Sequence, residues 1–313
     1  GRLRLRWRAV EGATGRALTL GDIEGALREL WDLQERAACA IAVEVEPRAQ
    51  AETLRARGAR PTTSNDAYDL YLQGLFAGFS FESRDYRKAL DLFESALALD
   101  SKFHPALAMA PWAAAYANAI LSPDDLARFA RMSRDALTLG RDDARTQATA
   151  GTALFYMAHE FAAARKAIER AIALNPNEYT AWICGGWMHA MKAEADAAHA
   201  MFDRAERLNP LAYGANGLMS GRAMAEFMAG RFKDAERYIE HALAGDDSHP
   251  SALMTGIATA HVMGLADACK ERCRAFLSIY PDGLASVAIQ ALPFEDAACR
   301  ESYFSAVQKG LNR

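Results

Sequence analysis

The chain has 313 residues, of which 36 are lysine or arginine and 40 are aspartate or glutamate, giving a formal net charge of −4, and 51% are apolar. Near-balanced charge at this length argues against a polyanion as an obligatory partner of the chain itself. No apolar run approaches the roughly 18 to 20 residues of a membrane span, and the Arg-rich start has no apolar block behind it, so neither an anchor nor a secretory leader is expected.

The first 60 residues read as the end of a separate domain. Arg2, Arg4, Arg6 and Arg8 alternate with Leu3, Leu5 and Trp7, the period-two pattern of a half-buried strand. Gly12 to Gly15 supplies turn chemistry, and Arg16 to Leu20 is expected to return as a short second strand. The arginine face suits either phosphate or a solvated edge protected by charge. From Asp22 to about Ala56 an apolar stripe through Ile23, Leu27, Leu30, Trp31, Ala37, Ile41 and Val45 predicts a helix that Pro47 breaks or kinks. Arg55 to Asn65, with Gly58 and Pro61, reads as a linker.

After the linker Asp66 can cap a helix carrying Tyr68, Leu70, Tyr71 and Gly74, followed by Tyr86, Ala89, Phe93 and Ala96 on a second helix. A second pair carries Leu107, Pro111 and Ala136, with Asp124 and Asp125 after Pro123 marking a helix start in an inserted turn. Both pairs hold extra residues, around Phe81 to Arg84 and Ala119 to Asp125, and turns tolerate these because closure entropy grows slowly with length. Thr152, Phe161, Ala164, Ile168 and Ala171 then lead to Pro176. The sharpest unit is Asn177 to Pro210. There Trp182, Gly186 and His189 share one face of a first helix, and Ala198, Phe202 and Ala205 one face of a second. Small residues at Gly186 and Ala198 let the two backbones approach. Gly230, Phe232, Ala235, Ile239 and Ala242 make the next unit, and Leu253, Gly264, Cys269, Cys273 and Phe276 the last, ending at Pro281. A terminal helix, Ala297 to Leu311, has Tyr303, Phe304, Val307 and Leu311 on one stripe and is expected to cap the array.

The seam returns after 34 positions, from Ala171 to Ala205 and from Pro176 to Pro210. This period and its residues resemble the tetratricopeptide repeat, with His189 where that family has tyrosine. The expected fold is all-α, a right-handed tetratricopeptide (TPR) solenoid of about six helix-turn-helix repeats over residues 61–281, with residues 282–313 as a capping segment. In such stacks one face of every first helix lines a shared groove. By register that face includes Tyr68, Tyr71, Trp112, Tyr156, Ile183, Trp187, Met224, Phe227, Met254 and His261. Rigid aromatics and adaptable methionines suit an apolar or helical segment of a protein, a peptide or a second copy. The same stripe is equally consistent with a groove filled by the chain's own Trp31 helix or terminal helix. Tyr71 and Leu75 stand where chaperone-binding relatives carry lysine and asparagine, which disfavours a chaperone tail.

A narrower resemblance rests on the Trp31 to Pro47 helix with its Leu-Gln-Glu-Arg and Glu-Pro, on Pro61, on Asp66 to Tyr71, and on Leu292, Pro293 and Phe294. These are similar to the carboxy-terminal half of bacterial multidomain regulators, in which a class III adenylate or guanylate cyclase or a winged-helix DNA-binding domain precedes a small α/β domain and a TPR array. The resemblance implies that residues 1–60 end such an α/β domain. It also implies that nucleic acid or nucleotide chemistry belongs to a preceding output module. A free-standing scaffold is the third reading.

Catalysis by this chain is not expected. Gly185 and Gly186 lie mid-helix rather than in a phosphate cradle, and His189 and His199 have no nucleophile at recognisable spacing. Five cysteines, Cys39, Cys184, Cys269, Cys273 and Cys299, show no disulfide or metal spacing, and Cys269 and Cys273, four apart, are expected as packed thiols. No metal or cofactor, and a reducing, cytoplasmic setting, are the corresponding expectations.

Overall fold

The computed structural model describes residues 2–10, 17–26, 62–78, 83–117, 121–209, 215–245, 248–281 and 292–312. Strands β1 (Arg2–Val10) and β2 (Ala17–Ala26) form an antiparallel pair. Thirteen helices follow among the described residues: α1 (Asn65–Gly78), α2 (Ser83–Leu99), α3 (His104–Tyr116), α4 (Pro123–Leu139), α5 (Ala144–Ala153), α6 (Phe161–Leu174), α7 (Tyr179–Ala190), α8 (Ala195–Leu208), α9 (Ala215–Met228), α10 (Phe232–Gly245), α11 (Pro250–Met263), α12 (Ala266–Ile279) and α13 (Ala297–Leu311). In chain order they are six successive pairs and a terminal helix. The contacts divide them into two units, residues 1–119 with 131–146, and residues 120–130 with 147–313.

The hairpin corrects one expectation. The predicted helix from Asp22 does not begin there: Asp22 to Ala26 continue β2, paired with Arg6 to Arg2. Carboxylates alternate with Gly21, Ile23 and Gly25, so the strand period outweighs the helical stripe at this end. Arg4 pairs with Asp22 and, at 3.3 Å, with Glu24, while Arg2 lies 3.6 Å from Glu24. On the other face the Trp7 ring occupies the space that a Cβ at Gly21 would need. The rest of that predicted helix, Pro47, the Gly12 to Gly15 turn and most of the linker lie outside the described residues.

In the first unit α1 is capped by Ser64, whose hydroxyl accepts from the Ala67 amide at 3.1 Å, rather than by the expected Asp66, which sits in the first turn. Its core is aromatic. Tyr71 is in van der Waals range of Phe93 (5.8 Å between centroids) and edge-on to Phe103 (5.2 Å), and a Cβ at Gly74 would meet the Phe93 ring. Ala89, Phe93 and Ala96 are fully covered. A polar cluster ties the start of α3 to the start of α5. The Thr146 hydroxyl donates to Asp143 (2.7 Å), which leaves its oxygen to accept from His104 Nδ1 (3.0 Å). Gly140 is required there, since a side chain would strike both Thr146 and His104. Burial pushes the His104 pKa below its ordinary value, against the opposing pull of Asp143 and Asp100.

The second unit repeats one packing rule. Gly186 of α7 and Gly221 of α9 both abut the buried Phe202 ring of α8, so a single aromatic fills the gap between three helices. Ala198, Ala205, Ala235, Ile239 and Ala242 are likewise fully buried. Trp182 is half-buried, its Nε1 donating to the Pro176 carbonyl at 2.9 Å. Pro210 lies outside the described residues. A left-handed residue follows the first helix of four successive pairs, at His159 (φ 52), Ala193 (φ 60), Gly230 (φ 74) and Gly264 (φ 72). The first two and the last two of these are each 34 positions apart. The repeat length is thus written in the backbone as well as in the side chains. Ahead of His159, α5 runs on into a π-helical turn, Leu154–Ala158.

Candidate functional site

The expected recognition face is built by first helices, and the structure places its ten residues unequally. Tyr68 and Trp112 of the first unit are half-buried, and Tyr71 is buried. The Tyr68 ring lies 6.3 Å from Tyr71 and 6.5 Å from Phe103, and Trp112 packs edge-on against Tyr86 at 5.4 Å. One turn beyond Leu72, Phe76 is 59% exposed on the same helix. These aromatics therefore present a partly solvated surface with a rigid aromatic floor.

In the second unit Tyr156, Ile183 and His261 are half-buried, whereas Trp187, Met224, Phe227 and Met254 are buried. Trp187, expected to point into an open groove, is only 8% exposed, so it behaves as core. Phe227 is covered by the chain's own terminal helix: its ring meets Tyr303 edge-on at 5.6 Å. Tyr303 is fully buried, and its hydroxyl is 3.1 Å from Thr255 of α11. Burial raises its pKa. Further along α13, Gly310 lies so close to Ile257 and His261 that a Cβ would collide with the Ile257 side chain. Helix α11 is consequently buried without interruption from Ala252 to Ala260.

The residues just ahead of α13 reach further back. Phe294 packs on Tyr303 (5.5 Å), Leu292 and Phe294 are buried, and the Glu295 carboxylate accepts from Arg165 of α6 at 2.9 Å and sits 3.4 Å from Lys192 after α7. Pro293 and Glu295 border a small cleft of about 110 Å³ whose apolar lining includes Phe155, Phe161, Ile168, Met188 and Met201. Asp296 caps α13, accepting from the Cys299 amide at 2.8 Å.

A charged cluster lies between α8 and α9. Arg222, 6% exposed at its side chain, donates to Asp203 (2.8 Å), Glu206 (3.0 Å) and His199 Nδ1 (3.0 Å). With Nδ1 accepting, His199 carries its proton on Nε2 and donates to Glu226, which Arg231 also pairs. Burial opposes ionisation of Glu226, but the hydrogen bonds from Arg231 and His199 prevail and hold its pKa below the ordinary glutamate value. Sequence reading missed both this cluster and the Glu295 clamp. Arg222 and Glu226, four apart in an otherwise apolar stretch, were the available signal for the first.

No group of three or more His, Cys, Asp or Glu side chains among the described residues is arranged to hold a metal ion. Cys184 is buried, which pushes its thiol pKa up to about 12. No described helix is long and apolar enough to cross a membrane.

No family model matches the chain, and no curated protein is similar to it in sequence. Solved structures do share its architecture. PilW, a widely conserved type IV pilus biogenesis factor, aligns with a TM-score of 0.52 at 20% identity over 70% of this chain and 96% of that one. A tetratricopeptide repeat protein from Parabacteroides merdae aligns with a TM-score of 0.50 at 13% identity over 91% and 97%. Human IFIT1, in a dimer with m7Gppp-AAAA, aligns with a TM-score of 0.59 at 13% identity over 90% of this chain and 64% of its own. Together with the helix pairs, the 34-residue recurrence and the shared Phe202 contact, these likenesses establish the fold as an all-α tetratricopeptide solenoid accompanied by a short amino-terminal β-hairpin.

Proposed function

We propose that the chain is a binding module and not a catalyst, recognising a protein or peptide segment through the inner faces of its first helices. The observation that carries this reading is the half-solvated aromatic surface of the first unit, where Tyr68 and Trp112 rest on a rigid floor and Phe76 stands 59% exposed. Rigid rings of this kind bind with little loss of side-chain entropy. The IFIT1 structure shows that this fold can accompany an RNA ligand, but a chain with 36 basic and 40 acidic residues favours a protein partner. A second copy of the chain is one such partner.

Within the wider resemblance to multidomain regulators, the array would be the sensory portion that passes its occupancy to an output module, either a nucleotide cyclase or a winged-helix DNA-binding domain. The sequence encoded ahead of Gly1 discriminates these from a free-standing scaffold: metal-binding aspartates mark the first and a basic recognition helix the second. The odd set of cysteines, four of them free among the described residues, supports a reducing, cytoplasmic setting.

The test is affinity capture from the source cell with the wild-type chain and with Tyr68→Ser/Trp112→Ser. A protein retained by the first and lost by the second, with helical content unchanged, supports the reading. Equal retention overturns it.

A further inference from the structure

We infer that Leu292 to Leu311 is a ligand held in cis, and that its chemistry specifies the partner segment that displaces it: an aromatic residue followed directly by a carboxylate, leading into a helix with a buried aromatic. The inference rests on the reading of the first-helix faces as a recognition surface. Four observations carry it.

The terminal helix touches the second helix α12 where the Cys269 and Cys273 thiols meet the Gly310 carbonyl, but packs chiefly elsewhere. It lies on first helices, through Tyr303 at Phe227 and Thr255 and through Gly310 at Ile257. The turn before it runs back across the second unit to where α6 meets α7, and there a single carboxylate, Glu295, is shared by Arg165 of α6 and Lys192 after α7. Those ion pairs are 29 to 44% exposed at their side chains, so they select charge while adding little stability. Finally, the apolar contacts are those of a peptide in a groove. Phe294 packs at a tilt against Tyr303, and Pro293 edges a cleft lined by Phe155, Phe161 and Met188. A tethered occupant competes at high effective concentration, so a free segment of the same pattern binds only after the tether is weakened.

The probe is a fluorescein-labelled peptide with the sequence of residues 291–312, titrated into the full chain and into full-length Phe294→Ser/Glu295→Lys. The weakened chain should bind the peptide about tenfold or more tighter than the wild type does. Adding Arg165→Glu and Lys192→Glu to it, or using a peptide with Glu295→Lys, should each remove that gain. Hydrogen exchange on the wild-type chain gives a second measurement, independent of any variant: amides of α13 should exchange faster than those of α10. Equal protection of the two helices, or equal peptide binding by wild type and weakened chain, overturns the inference. A dimer that forms by exchange of this segment and is dissolved by the peptide also overturns it, by assigning the site to a second copy. If these fail while capture through Tyr68 and Trp112 persists, only this inference falls; if capture is lost as well, the binding reading falls with it.

Discussion

Helices α1 and α11 open their respective pairs in the same way, yet they differ in how much of their surface is covered. In α11 nine consecutive residues, Ala252 to Ala260, are buried, because α13 packs against it in addition to α9, α10 and α12. In α1 burial is periodic: Ala67, Tyr71, Gly74, Leu75 and Gly78 are covered while Tyr68 and Leu72 are half-buried and Phe76 is exposed. The same repeat position can thus be core or surface, depending on whether another segment of the chain lies over it. Register alone identifies which residues face inward, and only the tertiary structure identifies which of those face solvent.

That comparison can be broken first at Tyr303. Tyr303→Ala should cost about 3 to 5 kcal/mol, measured by chemical denaturation, because it empties a fully buried site shared by α9, α11 and α13. If the loss is below about 1 kcal/mol, α13 does not enclose α11 in solution. Next, Gly186→Leu should cost about 1 to 3 kcal/mol or more by overpacking against Phe202, and an unchanged denaturation midpoint would refute the helix contact.

His104 supplies a pH test confined to the first unit. Its folded pKa is lowered, so the unfolded chain binds the proton more readily, and stability should decline as pH falls from about 6.5 toward the folded value. His104→Asn should flatten that part of the profile while leaving the higher range parallel to the wild type. Ala193→Gly should raise stability by about 1 kcal/mol, since Ala193 adopts the left-handed conformation that Gly230 and Gly264 occupy at equivalent turns. Smallest of all, Phe76→Ser should change stability by less than about 0.5 kcal/mol, in contrast to Tyr303.

Much of the solenoid was legible in the sequence because its signal is local and repeated. Gly186, Ala198 and Phe202 answer Thr152, Ala164 and Ile168 of the preceding unit 34 positions earlier, and Ser122 with Asp125 marks the start of α4 just where Asp124 and Asp125 suggested a helix. The hairpin was half legible. Arginine alternation gave β1, but Asp22 and Glu24 carry a strand period that overlaps an apolar stripe, so β2 was cut short and a helix begun too early. That the terminal helix could fill the groove was legible as one of two readings, but which residues it covers, Phe227 among them, and the burial of Trp187 were not, because both depend on contacts made across the second unit. The Glu295 clamp joins positions 130 residues apart from Arg165, and no spacing rule connects them.

The thiols of Cys269 and Cys273 lie 3.7 and 3.6 Å from the carbonyl of Gly310, and burial raises the Cys273 pKa to about 12. A protonated, shielded sulfur reacts slowly with alkylating reagents. The rate at which Cys269, buried beneath Gly310, becomes labelled should therefore register how often the carboxy-terminal helix lifts away, with no engineered probe.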